Sequence, residues 1–477
     1  MAKSRKTSFP KTPTGINGLD EITNGGFPKG RPILICGSAG CGKTLFAMQF
    51  LVKGITDYNE PGVFMSFEET SEDLTQNVNS LGFDLDKLKS ENKLRVDHVR
   101  IERSEIEETG EYDLEALFIR LNHAIDSVGA KRVVLDTIES LFGGMDNEAV
   151  LRSELRRLFH WLKEKGVTAI ITGERGENTL TRQGLEEYIS DCVILLDFRV
   201  IDQIATRRLR IVKYRGSTHG TNEYPFLIDE DGISVIPVTS LKLDYKSSPE
   251  IISTGIPDLD KSFSKGGIYR GGSTLITGTA GTTKTILAAH FAASSCKRKE
   301  QVLYFSFEES PDQLTRNIAT IGINFKPMIK SGLLHIHASR PSLQGLEMHL
   351  LVINKLMESL KPRTVIVDPI SSLITIGSSS EVRGMLIRLM DTLKMNRINA
   401  IFTSLTHSGI SEYNDATVDA VSSLADTWIN LTNEQQKGDD RVRSLLIVKS
   451  RGMGHHNSKQ QFIITNKGLQ FIKQKAQ

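Results

Sequence analysis

Residues 37–44 read Gly37-Ser38-Ala39-Gly40-Cys41-Gly42-Lys43-Thr44, and this motif is the most informative one in the sequence. Its spacing is that of a phosphate-binding loop, in which backbone amides surround phosphate oxygens. An apolar run at 32–36 precedes the loop, and a helix-length apolar segment at 44–54 follows it. This order predicts that the loop binds a nucleotide, ATP, with Lys43 at the β- and γ-phosphates and the Thr44 hydroxyl on Mg²⁺.

The loop is part of an internal repeat. Six features recur in the same order, at an offset of 232 to 241 residues. The pairs are Thr14-Gly15-Ile16 and Thr254-Gly255-Ile256, Gly25-Gly26 and Gly266-Gly267, the two loops, Phe67-Glu68-Glu69 and Phe307-Glu308-Glu309, Asp136 and Asp368, and Lys213-Tyr214-Arg215 and Lys449-Ser450-Arg451. The repeat predicts one module used twice, with domains at residues 1–247 and 248–477.

The second loop departs from the first. After Gly278 its nucleotide-binding residues are Thr279, Ala280, Gly281, Thr282, Thr283, Lys284 and Thr285. Thr283 stands where the first loop has Gly42, and its β-carbon is expected to crowd the phosphate, or to strain the backbone if φ is positive. Lys284 and Thr285 are retained, so we still expect nucleotide binding.

Within each copy, short β-branched runs alternate with helix-length segments. The segment 150–166, for example, places Leu151, Leu155, Leu158 and Leu162 on one helical face. This alternation predicts an α/β fold, with a mainly parallel sheet flanked by helices. Later β-rich runs, at 208–214, 225–229 and 233–238, predict antiparallel strands at the sheet edge.

Acidic residues follow two further predicted strands in each copy, where side chains reach a bound nucleotide. The predicted metal ligands are Thr44, Asp136, Thr285 and Asp368. The candidates to orient or deprotonate an attacking group are Glu68, Glu69, Glu308 and Glu309. The alternative for each glutamate pair is that it stabilises the N-terminus of the next helix.

A basic segment follows the β-rich region of each copy. Its candidate nucleotide-binding residues are Lys213, Tyr214, Arg215, Ser217 and His219, with Lys449 and Arg451 in the second copy. In nucleotide-binding rings such residues reach across a subunit interface and neutralise charge at the neighbour's γ-phosphate. An exposed basic hairpin is the alternative, and recurrence in both copies favours function.

The composition is that of a globular protein. The 477 residues have a net charge of +2, with 39% hydrophobic and 24% charged residues. The first 247 residues carry 32 Lys and Arg against 38 Asp and Glu, whereas the remainder carries 27 against 19. The four cysteines lack disulfide-framework spacing, and no apolar run has the length of a membrane helix or follows a signal-like N-terminus. We therefore expect a cytoplasmic protein with reduced thiols.

Together these motifs resemble the KaiC family of circadian-clock proteins. The resemblance covers about residues 14–468 and includes Glu174-Arg175, Asn222-Glu223-Tyr224 and residues 421–427. It implies two tandem RecA-like P-loop NTPase domains and a homohexamer of two stacked rings, with ATP and Mg²⁺ at subunit interfaces. It also implies a slow ATPase in the first ring and a serine/threonine autokinase and autophosphatase in the second.

The resemblance also implies roles for particular residues. The phosphate acceptors match Ser422 and Ser423, and Thr417 matches a nearby threonine to which phosphate passes. The region around 105–113 resembles the segment that binds a KaiB-like protein. Because the chain stops at Gln477, soon after Phe471, the tail that a KaiA-type activator grips is expected to be missing or curtailed.

Two other functions stay open at this point. A RecA-type DNA-binding recombinase or helicase would use the basic second half on a phosphate backbone, but no Arg- and Lys-rich loop with interleaved aromatic residues occurs. A nucleotide-gated scaffold would have a catalytically silent second ring. We favour the ATPase and autokinase, and we expect neither a membrane nor a nucleic-acid partner.

Overall fold

The computed structural model describes residues 9–99, 114–141, 148–176, 180–181, 190–201, 204–237, 248–343, 345–406, 421–435, 441–466 and 468–472. The chain divides into two compact units, Met1–Ser240 and Leu241–Gln477. Each unit has its own sheet and its own hydrophobic core.

The elements of the first unit alternate as the sequence patterns predict. Its strands are β1 (Lys11–Thr12), β2 (Phe27–Pro28), β3 (Pro32–Gly37), β4 (Gly62–Ser66), β5 (Leu94–His98), β6 (Arg132–Asp136), β7 (Thr168–Glu174), β8 (Cys192–Ile201), β9 (Ile204–Tyr214), β10 (Glu223–Asp229) and β11 (Gly232–Val235). Its helices are Leu19–Ile22, Lys43–Tyr58, Ser71–Asn79, Leu85–Ser90, Glu115–Val128, Ile138–Leu141 and Glu148–Glu164.

The second unit repeats this series. Its strands are β12 (Ile251–Ile252), β13 (Ile268–Tyr269), β14 (Ser273–Gly278), β15 (Val302–Ser306), β16 (Leu334–Ala338), β17 (Thr364–Asp368), β18 (Asn399–Leu405), β19 (Thr427–Gln435), β20 (Arg441–Ser450), β21 (Gln460–Thr465) and β22 (Gly468–Phe471). Its α-helices are Pro257–Lys261, Lys284–Lys297, Pro311–Ala319, Lys326–Lys330, Leu346–Leu360 and Ser379–Met395, and its 3₁₀ segments are Pro341–Leu343 and Ile370–Ile376.

The two main sheets have the same topology. Among the described residues the first has nine strands in the order β11-β10-β9-β8-β3-β7-β6-β4-β5, and the second runs β22-β21-β20-β19-β14-β18-β17-β15-β16. The six strands from β8 to β5 are parallel, and β9, β10 and β11 are added antiparallel. The prediction of tandem α/β domains with antiparallel edge additions is therefore confirmed.

The central strand β3 shows why the sheet forms. All of its residues are buried, and they alternate between two cores: Ile33 and Ile35 face one side, Leu34 and Cys36 the other. A strand buried on both faces needs a continuous apolar run, which is the pattern of a parallel sheet covered by helices. Within the described residues, no helix has both the length and the apolar character needed to cross a bilayer.

The helices that follow the glutamate pairs begin two residues after the second glutamate of each pair. Thr70 caps the helix Ser71–Asn79 by accepting a hydrogen bond from the amide of Asp73, and Ser310 forms a capping box with Gln313. The hydroxyl residue that follows each pair, rather than the pair itself, therefore caps the helix.

Candidate functional site

The first phosphate loop joins β3 to the helix Lys43–Tyr58 at the carboxyl edge of the sheet. Gly40 and Gly42 have φ of 71° and 105°, a region that favours glycine. Lys43 Nζ donates to the carbonyl oxygens of Gly37, at 2.9 Å, and Ser38, at 3.1 Å. These bonds hold the buried ammonium over the loop, beside a helix N-terminus whose amides attract phosphate.

Asp136 ends β6 beside this loop. Its Oδ2 accepts a hydrogen bond from Thr44 Oγ1 at 2.8 Å, and its Oδ1 accepts one from Thr172 Oγ1 on β7. Burial raises the pKa of Asp136, and the two hydroxyl donors oppose that rise. A hydroxyl oxygen beside a carboxylate is a hard donor set, so these residues fit Mg²⁺.

The two glutamates after β4 have different surroundings. Glu68 Oε1 accepts hydrogen bonds from Thr137 Oγ1 at 2.8 Å and from Ser140 Oγ at 2.6 Å, at the end of β6. Glu69 instead accepts from Asn77 Nδ2 at 3.0 Å, on the following helix. Of the two glutamates, Glu68 is therefore the one beside the end of β6, where the predicted metal ligand Asp136 lies.

The second unit divides its glutamates in the same way. Glu308 Oε1 accepts a hydrogen bond from Ser372 Oγ at 3.1 Å, in the segment after β17. Glu309 Oε1 accepts from Asn317 Nδ2 at 3.0 Å, on the helix Pro311–Ala319. The same split in both units indicates that the position in the pair fixes which way each carboxylate turns.

The second phosphate loop keeps the lysine geometry and the left-handed backbone of the first, but it has a threonine where the first has Gly42. Lys284 Nζ donates to the carbonyl oxygens of Gly278 and Thr279, both at 2.9 Å. Burial lowers the pKa of Lys284, and the charges of Asp368 and Glu308 oppose that shift. Thr283 has a φ of 74°, so the strained conformation that the sequence raised for this residue occurs.

The second strand-end carboxylate has a different partner from the first. Asp368 Oδ2 accepts a hydrogen bond from the hydroxyl of Tyr304 at 2.6 Å, and Oδ1 accepts one from Thr403 Oγ1. Among the described residues, Thr285 Oγ1 makes no hydrogen bond to Asp368. Burial raises the pKa of Tyr304 well above its ordinary value, so its hydroxyl stays protonated and acts as the donor.

The basic segment of the first unit lies at the edge of the sheet opposite to its own phosphate loop. Cys192 on β8 pairs with Ile33 near the start of β3, and Tyr214 on β9 pairs with Cys192. Tyr214 is therefore level with a residue four positions before Gly37, or about 13 Å along the strand. The neighbouring Arg215 is anchored there, with Nη1 3.6 Å from Oδ1 of the buried Asp191.

Tyr214, Ser217 and His219, which were also predicted to bind the nucleotide, contact their own unit as well. The Tyr214 hydroxyl donates to the carbonyl of Gly26 at 2.8 Å, and the His219 ring stacks on the Tyr214 ring. Ser217 Oγ accepts a hydrogen bond from Lys11 Nζ at 2.7 Å. These contacts fix the turn after β9, whereas Lys213 and Arg215 supply the positive charge of the segment.

The second unit places its basic segment beside the predicted phosphate acceptors. Lys449 Nζ donates to the carbonyl of Ser422, and Arg451 Nη2 donates to the carbonyl of Ser423. Ser450 pairs with Thr427, which pairs with Thr274, four residues before the end of β14. Both serines therefore lie at the sheet edge opposite to their own phosphate loop, with Ser422 partly exposed and Ser423 exposed.

Two predicted features lie outside the described residues. They are Thr417 and the segment 105–113, predicted to contact a KaiB-like protein.

The motif analysis missed several residues that contact the predicted site residues. Thr172 and Thr403 each donate to a strand-end aspartate, and a comparison of the two repeats shows a threonine at both places. Asp191 and Asp426 precede β8 and β19 and pair with Arg215 and Arg451, which the same comparison also aligns. The comparison of the two repeats does not point to Tyr304, because the equivalent residue of the first repeat is Phe64.

Comparison with known proteins decides the family. The profile of a family described as the KaiC ATPase matches the chain twice, over residues 12–240 and 252–476. The chain belongs to the KaiC family. The resemblance drawn from the sequence is therefore confirmed, and membership of this ATPase family implies ATP as the nucleotide.

Relatives in the KaiC family match along nearly the whole chain. The circadian clock protein KaiC2 of Synechocystis sp. is 55% identical over 469 residues, which cover 98% of this chain and 82% of that protein. The circadian clock oscillator protein KaiC of Synechococcus elongatus is 36% identical over 467 residues, 98% of this chain and 89% of that protein. The KaiC of Prochlorococcus marinus is 36% identical over 470 residues, 98% and 92% of the two chains.

Proposed function

We propose that this protein hydrolyses ATP at its first site and phosphorylates its own serines from the second, as a homohexamer in which each subunit completes a neighbour's sites. The observation that carries the first part is the hydrogen bond from Thr44 to Asp136, with Lys43 held over the same loop. These residues supply a cation for the phosphates and oxygen ligands for Mg²⁺, whose charge offsets that of the phosphates.

In the first site, Glu68 is the group that orients the attacking water and takes its proton. It lies at the strand end next to Asp136, whereas Asn77 holds Glu69 on the next helix. The water oxygen bonds to the γ-phosphorus while the bond to the β,γ-bridging oxygen breaks, and ADP leaves with that oxygen. Lys43 offsets the negative charge that grows on the phosphate oxygens.

Lys213 and Arg215 act on a neighbouring copy. They lie at the sheet edge opposite to their own loop, about 13 Å away along β3, so they do not serve the site of their own unit. In a ring, the same edge faces the loop of the next subunit, where Arg215 adds positive charge at the γ-phosphate. In this proposal the two domains are the two repeats, residues 1–247 and 248–477.

In the second unit, the position of the acceptors supports autophosphorylation between subunits. Ser422 and Ser423 lie beside Lys449 and Arg451, away from their own loop. The serine oxygen bonds to the γ-phosphorus of ATP on the neighbour as the bond to ADP breaks, and the hydroxyl proton passes to Glu308 or Glu309 of that neighbour. Autophosphatase activity would remove the phosphate from the same serines, and Thr417 would accept it in passing.

The test is incubation of the purified full chain with Mg²⁺ and ATP, followed by phosphate release and intact mass. We expect steady release and phosphate on Ser422 or Ser423. Lys43→Ala should lower release on the order of 10²-fold, because it removes a charge that stabilises the transition state. Paired Ser422→Ala and Ser423→Ala changes should abolish the covalent phosphate and leave release in place.

Each part of the proposal has its own contrary result. Unchanged turnover in Lys43→Ala contradicts the first-site assignment. Absence of covalent phosphate from the wild-type serines contradicts the autokinase, and leaves a nucleotide-gated scaffold as the function of the second unit.

A further inference from the structure

Tyr304 distinguishes the second metal site from the first. It lies on β15 two residues before Ser306, which pairs with Asp368 on β17. The equivalent residue on β4 is Phe64, two residues before Ser66, which pairs with Asp136. Both rings are fully buried, at 0% exposure, so the two sites differ at this position by a hydroxyl group and not by ring placement.

Packing does not account for this hydroxyl. Phe64 fills the equivalent space in the first unit with no polar atom, so the fold at this position does not require one. A buried tyrosine hydroxyl needs a hydrogen-bond partner. In the second unit the partner is the Oδ2 of the metal-site carboxylate, at 2.6 Å.

The hydroxyl takes the place of the loop threonine. In the first unit Asp136 Oδ2 accepts from Thr44 Oγ1 at 2.8 Å, which joins the two predicted metal ligands directly. In the second unit Tyr304 bonds to Asp368 Oδ2, and among the described residues Thr285 has no bond to that carboxylate. The other oxygen of each carboxylate has the same kind of partner, Thr172 or Thr403.

We propose that Tyr304 is a positioning residue that weakens divalent-metal binding at the second site, because its hydroxyl holds Asp368 Oδ2 away from Thr285. This rests on the proposed function, in that both sites take a nucleotide with its metal. The bond partly neutralises the carboxylate and aims it at the tyrosine. Mutation of the hydrogen-bond partners of metal ligands typically lowers metal affinity by about 10- to 100-fold. Here the expected sign is reversed, because Tyr304 would hold Asp368 Oδ2 away from Thr285 rather than towards the metal.

The test is a titration of the full-length protein with Mn²⁺, an oxygen-preferring ion with an electron paramagnetic resonance signal, at saturating non-hydrolysable ATP analogue. The wild type is expected to show two classes of nucleotide-dependent site, with the first unit tighter. Tyr304→Phe recreates the first-site arrangement and should tighten the weaker class roughly tenfold, while the tighter class is unchanged. The reciprocal Phe64→Tyr should weaken the tighter class instead.

A matched control separates this effect from the loss of any buried hydroxyl. Tyr224 is also fully buried, and Tyr224→Phe should leave both metal affinities within about twofold of wild type. An unchanged or weakened second class in folded Tyr304→Phe overturns the inference and leaves the proposed function in place. Failure of the wild-type protein to bind Mn²⁺ with the nucleotide at either unit overturns both. If Phe64→Tyr does not fold, the Tyr304→Phe titration alone decides.

Discussion

Thr283 carries a β-branched side chain in a backbone conformation that favours glycine, with φ 74° and ψ 26°. Such a conformation costs about 1–2 kcal/mol for a residue with a β-carbon. The Thr283 hydroxyl is also buried without a hydrogen-bond partner among the described residues. The second phosphate loop is therefore strained at Thr283, whereas the first loop avoids this strain because it has Gly42 at the equivalent position.

We expect Thr283→Gly to raise the free energy of unfolding of the second unit by about 1 kcal/mol, because the strain relieved exceeds the entropy that glycine loses on folding. Urea denaturation followed by fluorescence measures this, since Trp428 reports the second unit once Trp161 of the first is changed to Phe. The opposite change, Gly42→Ala, should destabilise the first unit, because a Cβ there would lie 3.0 Å from Ile228 Cδ1. A stability of Thr283→Gly equal to or below that of the wild type contradicts this account.

Much of the site at this scale follows from sequence. The loop spacing selects Lys43 and Thr44, and recurrence at a similar distance selects Asp136. The sequence does not show which side chains contact each other across neighbouring strands. Tyr304 meets Asp368 because two parallel strands are paired in one register, and no local pattern records that pairing.

At the scale of elements, the phosphate-loop helix of the second unit is joined to the last strand. His290, on the helix Lys284–Lys297, accepts a hydrogen bond at Nε2 from the amide of Leu469 on β22, at 3.2 Å. A β-carbon on Gly468 would lie 2.5 Å from the imidazole, and its φ is 92°, so glycine is required there. Burial, assisted by the charge of Lys297, lowers the pKa of His290 to about 4.

This pKa predicts a loss of stability in acid. The unfolded chain takes up a proton on His290 near pH 6.5, whereas the folded chain does so near pH 4. Stability from this group is therefore full above about pH 6.5 and falls as the pH drops towards 4, by up to roughly 3 kcal/mol. His290→Gln keeps an acceptor that does not titrate. In the Trp161→Phe background, urea denaturation monitored by Trp428 fluorescence at pH 7 and pH 5 should show a smaller pH effect in the variant. An equal pH effect in both proteins rules out His290 as its source.

The elements themselves were more predictable than their arrangement. Continuous apolar runs predicted the strands β3, β6 and β7, and the repeat implied that the strands of both units follow the same order in the sheet. The basic segment is different, because its place depends on how β9 returns along β8. Sequence alone therefore predicted the charges of this segment but not the sheet edge on which they lie.

At the scale of the whole molecule, the proposed function requires complementation between subunits. Lys43→Ala damages the loop, and Arg215→Ala damages the basic segment that serves a neighbour, so each variant alone should be nearly inactive. In coexpressed mixed hexamers with equal amounts of both variants, about a quarter of the interfaces combine an intact loop with an intact Arg215, as random head-to-tail pairing requires. Phosphate release should recover to about a quarter of the wild-type rate. Recovery no greater than the sum of the two variants contradicts action between subunits.

The opposite placement of loop and basic segment on one sheet also restricts symmetry. In a twofold dimer both copies use the same surface, so one interface would have to pair the loop of each copy with the basic segment of the other. In a cyclic arrangement every subunit contacts the next in the same way, so each loop meets the basic segment of a neighbour. No subunit is then left at an end with an incomplete site. The register of β8 with β3 and β9 thus gives each protomer a direction, and in the proposed ring every subunit would present its loop to the basic segment of the next.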